Sequence, residues 1–234
     1  MLPLQNAFED LFRLFYPVKC ASCGDDLPER KDIICIDCYA ALPHTGFECI
    51  ANNPTHHIFT GRMKVSAAHS EFYFEKGKSI QRLVHALKYK GRKDIGLMLG
   101  KITAVSLLKN NQYDNIDVII PVPMTKVKIK KRGYNQAAVI AEGMSEVLKV
   151  PVNNNVLVKS KKTSTQTKKH RTERWLNIDG SFEINNHDEL INKNILLVDD
   201  VITTGASLEA CGHCLLAVKG VNLFVATVAR TDKS

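Results

Sequence analysis

The sequence is poor in several features that would mark common classes of protein. Its 234 residues include a single tryptophan, and aromatic residues make up only 7% of the chain. No window approaches the run of about 20 apolar residues that a membrane-spanning helix needs. The apolar N-terminus is interrupted by Glu9, Asp10 and Arg13, and no basic segment precedes it, so a cleaved secretion signal is not expected. We therefore expect a cytoplasmic protein without a membrane span.

Two common nucleotide-binding motifs are also missing. The chain contains no Gly-x-x-x-x-Gly-Lys sequence of the Walker type, and no Gly-x-Gly-x-x-Gly follows a predicted strand. Aromatic residues are scarce near the basic segments, where only Tyr134 and Trp175 are obvious candidates for stacking on bases. This scarcity argues against a stacking platform for single-stranded nucleic acid.

The positive charge is present but concentrated. Of a net charge of +8, the whole excess comes from residues 126–132, with five basic residues and no acid, and residues 159–174, with seven basic residues and one acid. Charge concentrated in this way usually faces an anion such as nucleic acid or a polyphosphate ligand. A solvated lysine-rich surface is the alternative.

Hydrophobic periodicity predicts an α/β architecture. A helix is expected over residues 2–16, and the polar stretch at residues 46–62 is interpreted as a linker. Beyond it the chain alternates between predicted strands at 65–74, 116–121, 156–158, 195–198 and 221–228 and predicted helices at 77–88, 94–108, 135–149 and 207–218. This rhythm predicts a parallel sheet of βαβ units, which binds ligands at the carboxyl ends of its strands. The predicted units are an N-terminal module over 1–60 and a main domain over 61–234.

The strongest signal is a candidate phosphate-binding loop at Asp199–Ser207, which follows the apolar run Ile195–Val198 and leads into a predicted helix. Backbone N–H groups and hydroxyls at a helix N-terminus can converge there on one phosphate, although a simple helix cap is the alternative. Adjacent carboxylates would repel a phosphate, so they are expected to accept hydrogen bonds from ribose hydroxyls or to hold Mg²⁺. The candidates are Asp199 and Asp200 as catalytic residues and Val201, Thr203, Thr204, Gly205, Ala206 and Ser207 as ligand-binding residues.

Four of the seven cysteines form two C-x-x-C pairs, Cys20 with Cys23 and Cys35 with Cys38, separated by eleven residues. Each pair can turn two thiolates toward one point, and four thiolates satisfy a tetrahedral zinc ion. The sequence therefore predicts a closed structural zinc site, with redox-active pairs as the minor alternative. Cys211 and Cys214 have the same spacing but fall within a predicted helix, where we interpret them as buried.

The pattern Asp199–Ser207 is similar to the signature of type I phosphoribosyltransferases. Together with the cysteine module, Leu87–Gly91, Asp117–Pro123 and Arg132–Gln136 in matching order, it makes the chain resemble the ComF family of phosphoribosyltransferase-like, competence-associated proteins over nearly its whole length. The resemblance implies a type I fold, in which helices flank a parallel sheet and a flexible loop closes over the site.

The same resemblance implies a ligand, 5-phosphoribosyl-1-pyrophosphate (PRPP), bound with Mg²⁺. By position, Pro121–Gly133 would be the loop that faces the diphosphate, through Lys130, Lys131 and Arg132. A mobile cover would include the catalytic candidate Arg171, together with Gln166, Lys168 and Lys169.

Two functions follow from the resemblance. The first is transfer of phosphoribose to an unidentified nitrogenous acceptor with release of pyrophosphate. The second is non-catalytic binding of single-stranded DNA during competence, with other DNA-uptake proteins as partners and the same site sensing a metabolite or engaging a strand end.

Overall fold

The computed structural model describes residues 18–29, 31–160 and 182–232 of the chain. The predicted helix over residues 2–16 and the predicted cover residues Gln166, Lys168, Lys169 and Arg171 lie outside these ranges. Within the ranges, no helix has both the length and the apolar character needed to cross a membrane.

Helices separate the four strands predicted at residues 65–74, 116–121, 195–198 and 221–228, although helices also follow one another in pairs and no α-helix is described between Lys159 and Asn194. The strands are β1 (Ala67–Tyr73), β2 (Val118–Pro121), β3 (Leu157–Lys159), β4 (Phe182–Ile184), β5 (Asn194–Ile202) and β6 (Asn222–Arg230). The helices are α1 (Ile36–Ala40), α2 (Pro54–His57), α3 (Ser79–Tyr89), α4 (Lys93–Leu107), α5 (Lys126–Arg132), α6 (Gln136–Leu148) and α7 (Ala206–Leu216), with short 3₁₀ turns at Asn111–Tyr113 and Asp188–Leu190.

In the described ranges the main sheet has four strands in the order β1–β6–β5–β2, and all of its pairings are parallel. Strands β5 and β6 lie at its centre, where the side chains of Ile195–Val198 are fully buried. Burial on both faces explains why this run is continuously apolar rather than alternating. The parallel sheet predicted from the sequence is confirmed. The predicted strand at residues 156–158 is different, because β3 pairs antiparallel with β4 in a separate two-stranded hairpin.

Helices α4 and α6 approach each other closely on one side of the sheet because two glycines lie at their contact. A Cβ atom on Gly100 would lie 2.2 Å from the carbonyl oxygen of Ile140, and one on Gly143 would lie 2.3 Å from the carbonyl oxygen of Leu97. Both distances are far below any tolerable contact, so neither position accepts a side chain without moving a helix. This pair fixes α6 against the sheet, and the start of α6 is part of the site described below.

The polar stretch interpreted as a linker is in fact packed against β1. It contains α2, and the side chain of Phe59 within it is 1% exposed. Asn53 donates to the carbonyl of Ala68 at 2.7 Å, and Thr55 donates to the Ser70 hydroxyl at 3.0 Å. The linker prediction was wrong because the polar residues of this stretch are buried, with their hydrogen bonds satisfied inside the protein. The division of the chain into units 1–60 and 61–234 stays a prediction.

The cysteine module also packs on the main core. Cys20, Leu27 and Ile34 are buried in the same apolar cluster as Leu83 and Ala86 of α3. The module is therefore held beside α3 by apolar contacts. Residues of the module and of α3 together line a groove that is discussed below.

Candidate functional site

The candidate site lies where β2 and β5 end side by side. Because the two strands are parallel neighbours, with Pro121 paired to Val198, their carboxyl ends meet at the same edge of the sheet. The Val122 N–H continues the pairing by donating to the carbonyl of Val198 at 2.8 Å. The segment that follows β2 is thereby held beside Asp199 and Asp200. Both acids lie in the C-terminal half of β5, which runs to Ile202, so the predicted loop Asp199–Ser207 begins as strand.

The predicted phosphate-binding loop connects β5 to α7. Gly205 has φ of +76°, and a Cβ atom there would also lie 2.9 Å from a methyl group of Ile58 and 3.3 Å from the ring of Phe59. Glycine is required at this position by both backbone and packing. Thr203, Thr204, Ala206 and Ser207 are exposed around it, at the N-terminus of an 11-residue helix. The Ala206 N–H is directed at the Thr204 hydroxyl at 3.4 Å. An exposed helix N-terminus that carries hydroxyl side chains is suited to an anion.

Arg62 connects the loop to α7. This side chain donates to the carbonyl of Thr204 at 2.7 Å and forms an ion pair with Glu209 in the first turn of α7. Arg62 therefore ties the backbone of the loop to the start of the helix.

The two carboxylates near the end of β5 are adjacent, and their negative charges repel each other. The Asp200 N–H donates to Asp199 Oδ1 at 2.9 Å, and the Val201 N–H donates to Asp200 Oδ1 at 2.7 Å. Loss of solvent and the neighbouring charge of Asp200 raise the pKa of Asp199 to about 7, with Lys88 and Lys128 opposing the rise. An additional cation or hydrogen-bond donor at this point would favour the ionised form of Asp199.

A cavity of about 190 Å³ opens in front of the carboxylates, and we call it the cleft. Four cationic side chains line it together with the two acids, so the cleft combines a diacid with an excess of positive charge. Its polar and charged lining residues are Lys88, Thr125, Lys128, Arg132, Asn135, Gln136, Lys159, Asp199, Asp200 and Ser207. An anionic ligand that also carries hydroxyls or a metal ion fits this combination.

The segment predicted as a loop, Pro121–Gly133, contains helix α5. Its ends are well defined, since the Thr125 hydroxyl accepts from the Lys128 N–H at 3.3 Å and Gly133 ends the helix in the left-handed region. On a helix, residues four apart share a face, and Lys128 and Arg132 are the two that line the cleft.

Of the three predicted diphosphate contacts, the structure therefore brings only Arg132 to the cleft. Lys130 and Lys131 are exposed on α5 and are absent from the lining. The signal that would have selected Lys128 is the placement of Thr125 and Gly133, a capping residue and a helix-ending glycine that together mark a short helix.

Two further cations of the cleft were not predicted as site residues. Lys88 lies in the last turn of α3, and its ammonium group is 2.8 Å from Asp200 Oδ2. Lys159 reaches the cleft from the hairpin, with its ammonium group 4.9 Å above the ring of Phe182. Lys88 belongs to the Leu87–Gly91 segment that contributed to the resemblance, whereas no local pattern in the sequence distinguishes Lys159.

The four predicted metal-binding cysteines do converge. The Sγ atoms of Cys20, Cys23, Cys35 and Cys38 all lie within 4.8 Å of one another, and this cluster can hold a metal ion. The Cys35 N–H points at the Cys20 sulfur at 3.3 Å, and the Cys38 N–H points at the Cys35 sulfur at 3.5 Å. Backbone N–H groups directed at sulfur favour the thiolate form that binds metal.

The other C-x-x-C pair lies within α7, as predicted, but only Cys211 is buried and Cys214 is partly exposed. Cys211 is fully buried within α7, and the Cys214 thiol points at the carbonyl of Phe182 at 3.5 Å. Burial raises the pKa of both thiols, which makes them poor nucleophiles and poor metal ligands.

Comparison with known proteins agrees with this geometry. The phosphoribosyl transferase domain family matches residues 93–233, which is more than half of the chain. Competence protein F of Haemophilus influenzae is 26% identical over 222 residues, covering 86% of this chain and 92% of that protein. Competence protein ComFC of Bacillus subtilis is 35% identical over 99 residues, or 42% of this chain and 38% of that protein. DNA utilization protein YhgH of Escherichia coli O157:H7 is 24% identical over 152 residues, or 64% of this chain and 66% of that protein.

The family match and the parallel sheet with flanking helices together confirm the predicted type I phosphoribosyltransferase fold, here combined with an N-terminal four-cysteine cluster. The chain therefore belongs to the phosphoribosyl transferase domain family and, within it, to the ComF-type proteins.

Proposed function

We propose that the cleft binds PRPP as its magnesium complex. The observation that carries this proposal is the presence, at one sheet edge, of three features with different chemistry. A helix N-terminus suits a phosphate, two adjacent carboxylates suit ribose hydroxyls, and four cations suit a diphosphate. The loop reaches the cleft through Ser207, whereas Thr203, Thr204, Gly205 and Ala206 lie beside the cleft and outside its lining. PRPP is a ligand that presents all three groups.

Each part of the ligand has a proposed location. The 5′-phosphate binds the loop Thr203–Ser207, and Val201 belongs to the strand end that supports it. The ribose hydroxyls donate to Asp199 and Asp200. The diphosphate faces Lys128 and Arg132, while the exposed Lys130 and Lys131 add positive potential along α5. The predicted catalytic residue Arg171 stays a prediction, since it lies outside the described residues.

Magnesium fits the chemistry of this site. The ion prefers oxygen ligands, usually one or two carboxylates together with phosphate oxygens and water. Asp199 and Asp200 supply the carboxylates, and a nearby cation would relieve the repulsion between them that helps to raise the pKa of Asp199. When bound, Mg²⁺ would neutralise charge on the departing diphosphate.

We further propose that the protein is a transferase. A nitrogen nucleophile forms a bond to C1 of the ribose as the C1–O bond breaks, and the electron pair leaves with pyrophosphate. Positive charge develops on the sugar, where the Asp199 and Asp200 carboxylates stabilise it. Lys128 and Arg132 stabilise the leaving group, and the acceptor belongs to the class of nitrogenous nucleophiles.

The four-cysteine cluster is proposed to hold a structural zinc ion. Tetrahedral zinc with bonds of about 2.3 Å separates its sulfur ligands by about 3.8 Å. The sulfur atoms of Cys23 and Cys35 are 3.8 Å apart, which matches this geometry. Four sulfur ligands leave no open position, so the ion would stabilise the module rather than take part in chemistry.

A second candidate function, binding of single-stranded DNA, is favoured by a basic groove between the cysteine module and α3. The groove has a volume of about 630 Å³ and, among its described lining residues, contains no acid. Its charged or ionisable side chains other than cysteine are Lys19, Arg82, His85, Lys90 and Arg92. Lys19 pairs with Asp26 and Arg92 pairs with Asp94, both acids lying outside the groove lining. The names of the relatives, competence and DNA utilization proteins, are consistent with a nucleic-acid ligand.

An exposed aromatic side chain connects this groove to the cleft. Tyr89 is 57% exposed, its ring lies 4.8 Å from that of His85, and the guanidinium of Arg132 lies 5.4 Å from its centroid. Stacking on such a ring is how single strands are bound without sequence preference. Of the two predicted candidates, Tyr134 is instead anchored by its hydroxyl, which donates to the carbonyl of Leu87, and Trp175 lies outside the described residues.

The primary proposal predicts that the purified protein binds PRPP in the presence of Mg²⁺, measured by calorimetric titration. Replacing both carboxylates, Asp199→Asn with Asp200→Asn, should weaken binding by about tenfold or more, on the order expected when charge-assisted hydrogen bonds are removed. The matched control Asp188→Asn/Glu189→Gln removes two adjacent acids from an exposed 3₁₀ turn and should bind normally. Equal binding by the carboxylate variant and wild type would contradict the assignment.

The raised pKa of Asp199 predicts that PRPP affinity increases as the pH rises through about 7. The reason is that the ionised carboxylate accepts the ribose hydroxyls, so the ligand lowers the pKa of Asp199 and releases a proton on binding. Carboxyl ¹³C NMR of aspartate-labelled protein would show the Asp199 resonance titrating near 7 in the free protein, and its disappearance in Asp199→Asn assigns it. Titration at an ordinary aspartate value, about 4, would refute this account of the site.

Metal analysis should find about one zinc ion per chain, in keeping with four thiolate ligands. The pair Cys23→Ser/Cys38→Ser should lose the ion and lower the melting temperature, because the module packs on the main core. Cys49→Ser, an exposed cysteine outside the cluster, serves as the control and should keep the ion. Metal-free protein that takes up no zinc after reduction would rule out the structural zinc site.

The DNA proposal predicts that a labelled single-stranded oligonucleotide binds with an affinity that falls steeply with salt. Arg82→Ala/Lys90→Ala should weaken binding and reduce the salt slope by roughly one for each DNA phosphate that the variant no longer neutralises. Lys101→Ala/Lys109→Ala removes two exposed, acid-paired lysines elsewhere and controls for net charge. An identical weakening in both variants would indicate non-specific attraction and eliminate the groove as the binding site.

A further inference from the structure

One cation of the cleft already has a partner. The ammonium group of Lys88 lies 2.8 Å from Asp200 Oδ2, and the two side chains are 22% and 13% exposed. Of the remaining cleft cations, Arg132 donates to the neutral side chain of Gln136 at 2.9 Å and stacks on Tyr89. Lys88 is therefore the cleft cation that forms an ion pair with one of the two acids.

The position of Lys88 is fixed by the helix that carries it. Leu83 and Leu87 of α3 are fully buried, so the last turn of the helix cannot rotate freely. The hydroxyl of Tyr134 donates to the carbonyl of Leu87, which fastens this turn to the segment between α5 and α6. The backbone is thus anchored, whereas the four-carbon side chain of Lys88 can turn its ammonium group between partners within reach.

The ion pair conflicts with the proposed use of Asp200. A carboxylate held by an ammonium group offers fewer free lone pairs to ribose hydroxyls or to Mg²⁺. At the same time, a diphosphate entering the cleft would carry more negative charge than Asp200 and would attract the same ammonium group. The ligand would therefore give Lys88 a more highly charged partner, the diphosphate. It would also give Asp200 new partners, the ribose hydroxyls and Mg²⁺.

We propose that Lys88 exchanges partners when the ligand binds: it holds Asp200 in the free cleft and moves to the diphosphate of PRPP, which releases Asp200 to the ribose and the metal ion. This inference rests on the proposed function of the cleft. It assigns a binding role to a residue of α3, outside the loops that follow β2 and β5. It also means that binding of the diphosphate by Lys88 and binding of the ribose or metal ion by Asp200 depend on each other.

The exchange predicts opposite effects on two ligands from a single substitution. Lys88→Met removes a diphosphate contact, so the affinity for Mg²⁺–PRPP and for magnesium pyrophosphate should fall by about tenfold or more. The same substitution leaves Asp199 and Asp200 without their nearest cation, so the affinity for Mg²⁺ alone, or for Mn²⁺ as a spectroscopic substitute, should rise several-fold. A purely structural role for Lys88 would lower both affinities together.

The control is Lys101→Met, which removes an exposed lysine of α4 that is paired with Glu146 and lines neither the cleft nor the groove. It should leave both affinities close to those of wild type. Thermal unfolding of each variant establishes that the fold is intact.

The outcomes separate this inference from the proposed function. If wild type binds PRPP and Lys88→Met binds it equally well, or if metal affinity does not rise, the exchange is refuted and the proposed function stands. If wild type binds magnesium pyrophosphate but not PRPP, the proposed ligand is wrong, and opposite shifts in Lys88→Met still support the exchange. If wild type binds neither compound, both proposals fail.

Discussion

The parallel pairing of β2 with β5 is the constraint on which the site depends. Pairing of Pro121 with Val198 brings two strand ends to one edge, and the chain leaves that edge in two ways. After β5 it turns through Gly205 into α7, and after β2 it turns into the short basic helix α5. The start of α7 and the cationic helix α5 thereby come to one edge, where Ser207, Lys128 and Arg132 line the same cleft as the two carboxylates. In the proposed function, the two segments contact different parts of one ligand.

The cleft brings two mutually repelling carboxylates and four cations together. Asp199 and Asp200 repel each other in a place with little solvent, and four cations surround them without neutralising Asp199. A ligand with hydroxyls, phosphates and a divalent metal would stabilise both sets of charges. Its metal ion and hydroxyls would favour the ionised carboxylates, and its phosphates would pair with the cations. Strong binding would then follow from groups that are already positioned, with little cost of rearrangement apart from the Lys88 side chain.

The sequence predicted those parts of the molecule that are encoded locally. The loop around Gly205 and the cysteine pairs are short motifs in which spacing determines geometry, and apolar runs such as Ile195–Val198 predict buried parallel strands. The choice among Lys128, Lys130, Lys131 and Arg132 could not be made while the segment was treated as a loop, because only a helical period selects Lys128 and Arg132. Lys88 and Lys159 are brought to the cleft by tertiary packing alone. The stretch around Asn53 and Thr55 was misread as a linker since its polar groups are buried and paired.

The central claim is that the edge shared by β2 and β5 is the binding site for a phosphorylated ribose diphosphate. A crystal structure of the protein with PRPP and Mg²⁺ tests it most directly. The account predicts the 5′-phosphate against Thr203–Ser207, the ribose hydroxyls at Asp199 and Asp200, and the diphosphate beside Lys128 and Arg132. A ligand bound instead in the groove beside the cysteine module, or one in the cleft with its phosphate away from Gly205, would contradict it.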